Sequence, residues 1–270
     1  MNEISMFGGG AVTLWNSQKL NPYRAVVAVD ARDFSSLDSE GMAVVNEDVL
    51  LLLSKAMTAV GLDTWEERYF GQHTGDGYVA GVDPEHLPAL VSCLPRALND
   101  VLRGHQRSDG RPLQLRLSVH VGPLPDSGVG EPMVETHRLL DDDRLRGLLS
   151  RATPALTPLA MIVSERAYED VYRSGCATNG AGPKEFAHCL VRVKSFEKPA
   201  WIHVPGLDWA LADPDLLLTE QRQAPNPASS DQAELRQPPV SKFNAKGNGT
   251  IVQTEHFTNH SINSYTGGDR

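Results

Sequence analysis

The segment Arg24-Ala25-Val26-Val27-Ala28-Val29-Asp30 constrains this chain more than any other. It is short, apolar and β-branched, which reads as a buried strand. A long helical stretch follows at residues 39–60, where Met42, Val45, Val49, Leu52, Leu53 and Met57 recur at three-to-four spacing. Gly61 ends it, since glycine accepts the left-handed position after a helix. A buried strand feeding an amphipathic helix predicts an α/β domain.

The pattern continues to about residue 206. Residues 65–71 and 78–82 read as the two strands of a hairpin, with a polar tip at His73-Thr74-Gly75-Asp76-Gly77. A second helix is expected over 84–103, with Leu87, Leu90, Val91, Leu94, Leu98 and Leu102 on one face. Residues 113–121 alternate apolar and polar and predict a strand. Helices are expected near 133–140 and 145–151, a strand at 159–163, a short helix at 165–172, and a closing strand pair at 187–193 and 200–204. Past Gly206 the composition changes, and residues 220–240 hold Gln, Pro, Ser and Ala with few large apolar side chains. That is the composition of a disordered linker. The expected organisation is a flexible arm at 1–20, a globular domain at 21–207, an extension and linker at 208–246, and a tail at 247–270.

Composition narrows the function. With 40% hydrophobic and 22% charged residues the chain can bury a core. No apolar run reaches the ~18 residues of a membrane span, and the start lacks the basic-then-apolar pattern of a secretory signal. Three scattered cysteines, Cys93, Cys176 and Cys189, suit a reducing cytoplasm better than a disulfide framework or a zinc cluster. A net charge of −9 argues against a DNA-binding protein. A nucleotide can still bind where metal ions supply local positive charge. Neither Gly8-Gly9-Gly10 nor Gly128-Val129-Gly130 has the context of a phosphate loop, and no Gly-x-Ser-x-Gly elbow is present. His105, His120 and His203 are expected at the surface or at the edge of the core.

Two aspartates stand out by placement. Asp30 ends the buried strand, and Asp76 sits between Gly75 and Gly77 at the hairpin tip. Carboxylates at strand ends and tight turns suit hard divalent cations, which take oxygen ligands. Flanking glycines allow close backbone approach. Each aspartate alone is equally compatible with a helix cap or a solvated turn.

Five segments, in order, decide between these readings. They are Val29-Asp30-Ala31-Arg32-Asp33-Phe34-Ser35, Thr74-Gly75-Asp76-Gly77-Tyr78-Val79-Ala80, Arg116-Leu117-Ser118-Val119-His120-Val121-Gly122-Pro123, Met161-Ile162-Val163-Ser164-Glu165-Arg166-Ala167-Tyr168-Glu169 and Val191-Arg192-Val193-Lys194-Ser195-Phe196-Glu197-Lys198-Pro199. From Arg24 to about Gly206 the chain resembles the class III nucleotidyl cyclase catalytic domain. The resemblance implies a ferredoxin-like α+β fold with a mixed sheet and helices. It implies that Asp30, Asp76 and the carbonyl of Ala31 hold two divalent ions, Mn²⁺ or Mg²⁺, ~3.5–4 Å apart. Phe34 and Ser35 would start a helix whose amides face the phosphates. Arg138 would stabilise the transferring phosphate from the opposite chain of a homodimer with shared sites.

There are departures. Asp33 replaces a family glycine, and Val134 stands where the family has a ribose-binding asparagine. The base-reading position, Lys or Glu in purine cyclases, is Gln72, whose amide both donates and accepts. With the Trp201-Ile202-His203-Val204-Pro205 ending, this is similar to the pyrimidine cyclases of bacterial antiphage (Pycsar) systems. The resemblance implies a uridylate cyclase, a phosphorus–oxygen lyase making cyclic UMP from the nucleoside triphosphate substrate, read by a separate effector. A cytidylate cyclase, an adenylyl or guanylyl cyclase, and a non-catalytic nucleotide-binding scaffold are the alternatives. The tail from Gly247 to Asn263 spaces Ile251, Phe257 and Ile262 among Thr, Asn, Gln and His. This suits either strand stacking with amide ladders and a tail-mediated partner, or a disordered tail with a few apolar residues.

Overall fold

The computed structural model describes residues 18–109, 112–176 and 179–217. Strand β1 (Tyr23–Ala31) is buried from Ala25 onward, as its unbroken apolar run requires. The other strands are β2 (Phe70–His73), β3 (Gly77–Val82), β4 (Leu115–Pro123), β5 (Leu159–Ser164), β6 (Phe186–Val193) and β7 (Phe196–His203). They form one sheet in the spatial order β2-β3-β1-β4-β5-β7-β6. Only β4 and β5 pair in parallel, so the sheet is mixed.

Helices α1 (Ser39–Ala59), α2 (Leu94–Asp109), α3 (Glu131–Leu140), α4 (Asp143–Arg151) and α5 (Glu165–Tyr172) cover both faces. On one face Val49, Leu53 and Met57 of α1, Leu94, Leu98 and Leu102 of α2, and Ala167 and Val171 of α5 pack against Ala25, Val27 and Val29. On the other, Leu139 and Leu140 of α3 and Leu145, Leu148 and Leu149 of α4 pack against Val26, Ala28, Ala160 and Ile162. The two-residue period of β1 thus feeds two cores at once.

Several expectations shift. The first hairpin strand begins at Phe70, because Trp65 belongs to a 3-10 turn, Asp63–Glu67. There its indole Nε1 donates to Ser54 Oγ at 2.9 Å. The expected helix over 84–103 is a 3-10 turn, a π turn at Ala89–Cys93 and then α2, which runs on to Asp109. The polar members of β4 do not face water: Arg116, Ser118 and His120 are buried beneath α3. His120 and His203 are likewise core residues rather than surface ones, His203 being 2% exposed with Nδ1 2.8 Å from Glu185 O. Packing continues past the expected boundary at 207, since Trp209 and Leu216 lie against the α3–α4 core. Residues 1–17 of the expected arm, and the linker and tail from 218 onward, lie outside the described residues.

Candidate functional site

At the end of β1 the backbone brings the two aspartates together. Asp30 is in register with Gly77 of β3 on one side and with Arg116 of β4 on the other. One residue on, Ala31 N–H donates to Asp76 O at 2.8 Å, which ties the strand end to the hairpin tip. Glycine is required at 77, because a Cβ there would stand 2.0 Å from Val29 O. Gly75 turns the tip with φ +93°, and its carbonyl accepts from Asn46 Nδ2 at 2.7 Å. The tip is therefore held from three sides.

Asp30 is only 7% exposed. Burial raises its pKa to about 7, against the opposing pull of the Arg116 guanidinium and with the help of the Asp76 charge. Arg116 Nε lies 2.7 Å from Asp30 Oδ1. The N–H does not point along that line, so neither atom has an aligned hydrogen bond. The contact is one of charge, and Asp30 Oδ1 keeps unused acceptor capacity. A buried carboxylate oxygen without an aligned donor, beside a second carboxylate and a backbone carbonyl, fits a hard divalent cation. A group of three or more His, Cys, Asp or Glu side chains around one point does not occur among the described residues. Any metal here would rest on Asp30, Asp76 and main-chain oxygen.

Asp76 lines a cleft of about 590 Å³ together with Ala31, Arg32, Phe34, Ser35, Arg116 and Arg146, among others, and the buried Asp30 meets this wall through Arg116. Asp33 replaces glycine at a left-handed position and adopts φ 59° itself, which aspartate tolerates better than most residues. Arg32 Nε lies 3.0 Å from its carboxylate. The expected helix start at Phe34 is instead a single 3-10 turn, Phe34–Ser36. The true start of α1 is at Ser39, where Asp38 caps Gly41 N–H at 2.8 Å. A three-residue turn has no appreciable macrodipole, so a phosphate at Ser35 would meet turn amides and a hydroxyl only. Phe34 is half-buried against the α1-side core.

Gln72 and Arg138 are not brought to this cleft. Gln72 sits exposed on β2, opposite Val79. Arg138 is half-buried on α3, and Val134, four residues before it, is 53% exposed. The neighbouring His137 is held below its usual pKa by burial, against the attraction of Asp141 and Asp76. Sequence reasoning missed Arg116 and Arg146 as site residues. Arg116 was legible only as part of a strand motif; its contact with Asp30 depends on the β1–β4 register.

No family model matches the chain, and neither does any curated protein. Solved structures do align with it. The guanylyl cyclase Cya2 shares 16% identity at a TM-score of 0.46, over 68% of this chain and 91% of that one. The adenylyl cyclase CyaB from P. aeruginosa shares 18% at 0.42, over 67% and 92%. The adenylate/guanylate cyclase/hydrolase from Silicibacter pomeroyi shares 20% at 0.45, over 69% and 98%. No described helix is long and apolar enough to cross a membrane.

Proposed function

We propose that this protein is a nucleotide cyclase acting on a pyrimidine nucleoside triphosphate, with UTP as the favoured substrate and cyclic UMP and pyrophosphate as products. One observation carries the reading. Two motif aspartates 46 residues apart in sequence are brought together by the Ala31–Asp76 hydrogen bond and the Asp30–Gly77 register, with Asp76 on the cleft wall and Asp30 against its Arg116. Three arginines line that cleft, and polyphosphate chemistry needs both signs of charge.

In this reading Asp30, Asp76 and the Ala31 carbonyl hold divalent cations, which when bound lower the pKa of the ribose hydroxyl and neutralise phosphate charge. The chain's own groups do the rest. Ser35 and the turn at Phe34 orient the phosphates, and Arg116 fixes the Asp30 carboxylate. Gln72 and Arg138 do not line their own chain's cleft, so they act on the cleft of a second copy, Gln72 on the base and Arg138 on the transferring phosphate. The favoured unit is a homodimer with two composite sites. Val134 offers no polar atom for ribose, so sugar contacts come from elsewhere. The cyclic product serves a separate effector as an alarm signal, and residues 247–270 recruit a partner.

Incubating the full chain with each of the four nucleoside triphosphates and Mn²⁺, then identifying products by mass spectrometry, tests the reaction. Cyclic UMP is expected. Cyclic CMP or a purine product reassigns the base, and no product with any of the four removes the reading. Mixing inactive Asp76→Ala and Arg138→Ala chains tests the shared site. Recovery of up to about a quarter of wild-type activity is expected, since half the dimers are mixed and each has one intact site. Mixtures that stay inactive while subunits exchange leave Arg138 without this role.

A further inference from the structure

The cleft wall carries three arginines, and they differ in what the fold already asks of them. Arg32 donates to Gln114 Oε1 at 2.6 Å and to Leu149 O at 2.8 Å. Arg116 is buried against Asp30 and donates to Leu140 O at 3.3 Å. Moving either one would strand buried acceptors or leave Asp30 without its counter-charge. Arg146, on α4, is paired with Asp141 instead, and these side chains are 49% and 41% exposed. An exposed ion pair contributes little, so exchanging it for a better anion is cheap. Of the three, Arg146 is the cation the fold can release to a ligand.

Each of the three is also already paired. Arg32 faces Asp33, Arg116 faces Asp30 and Arg146 faces Asp141, so the bare cleft offers a polyanion little net attraction. Cations on the aspartates would change that, leaving the arginines in excess. A guanidinium presents a rigid fork that matches two phosphate oxygens at once.

We propose that Arg146 grips the polyphosphate: the part of a nucleoside triphosphate beyond the α-phosphorus, and the same group as free pyrophosphate after it leaves. The assignment rests on the cyclase reading above. It concerns the chain's own cleft, and it requires a divalent cation to be present.

Calorimetric titration of inorganic pyrophosphate into the full chain tests it directly, with and without Mg²⁺. Binding is expected in Mg²⁺ and not in chelator. Arg146→Ala should weaken it about tenfold, the loss of one charge-assisted contact. Arg146→Lys should recover part of the affinity, and Asp141→Asn, which frees the guanidinium, should match or exceed wild type. Melting curves confirm that each variant is folded. In turnover, the loss in Arg146→Ala should fall mainly on KM. Wild-type protein that fails to bind pyrophosphate in Mg²⁺ overturns the assignment. So does an Arg146→Ala chain whose pyrophosphate affinity and KM stay within about twofold of wild type. If pyrophosphate binds through Arg146 but no triphosphate is cyclised, the cyclase reading falls and the anion site stands.

Discussion

Two clusters of buried charge lie on the α3 side of β4, and they answer burial differently. At one end Asp30 meets Arg116, which lines an open cleft. At the other, His120 lies 3.6 Å from Glu135, whose carboxylate is also paired with Lys198. The sheet register sets them four residues apart, about 13 Å along a strand. Burial pushes both titrating groups toward neutrality: Asp30 up to about 7 and His120 down to about 4. The partners differ in freedom. Arg116 has an 11% exposed side chain held by Asp30 and Leu140 O, whereas Lys198 is 48% exposed and free to turn to water. A carboxylate beside a trapped cation stays within reach of its charged form at neutral pH. A histidine beside a neutralised pair has no such incentive and behaves as core.

The largest effect that would sharpen this contrast is on activity. Asp76→Ala should reduce cyclic nucleotide formation by at least about a thousandfold, the several kcal/mol a metal site contributes. Glu135→Gln, at the other cluster, should stay within about threefold, since it lies outside the cleft. Equal losses in product assays would mean that the two clusters form one functional unit.

Stability comes next. Asp30→Ala leaves the buried Arg116 without its counter-charge, so denaturant melts should show a loss of about 3–5 kcal/mol. Glu135→Ala lets Lys198 turn to solvent, and its cost should be nearer 1 kcal/mol. Asp30, 7% exposed, is thus part of the fold as well as a candidate ligand. Asp76 is half-buried in the hairpin tip, and alanine there should leave the fold intact.

A smaller effect is the pH trend of metal-free protein. The folded state holds the Asp30 proton to about 7 against an ordinary value of 3.8. This group therefore favours the fold at low pH, and the contribution is lost as pH rises from about 4 through 7. Asp30→Asn cannot ionise, so its melting temperature should gain on wild type across that window in chelator. A constant difference between the two would show that the carboxylate is not desolvated.

The smallest is a titration at His120. Lys198 depresses its protonation and Glu135 favours it. Lys198→Met should therefore move the imidazole midpoint upward from about 4, read from its ring proton resonances. A downward shift would mean that Lys198 does not face the ring.

How much of this was legible in the sequence follows local and non-local lines. β1, α1 and α5 were readable because a run or a 3.6-residue period fixes each within its own segment. β7 was read as starting at Ala200, four residues late, and the strand in fact runs through Pro199. It is admitted because at Pro199 β7 pairs with β6 alone, and pairing to β5 begins only at Ala200. The alternation of β4 was seen, but its polar residues gave no hint that α3 would cover them. Asp30 and Asp76 were found from glycines and strand ends. Arg116 and Arg146 were not, since their place depends on register and helix docking across at least 70 residues.

The hydrogen bond from Ala31 to the Asp76 carbonyl has a consequence for when the site exists at all. β2 is the outermost strand, four residues long and largely exposed, and it supports one side of β3. Edge hairpins open by local fluctuation far more often than whole domains unfold. Each such opening withdraws Asp76 while Asp30, at the centre of the sheet, stays in place. Amide exchange at Ala31 should then be faster than at Val27, and warming should extinguish the site before the core melts. The site should then be lost at the rim of the sheet while its core still holds.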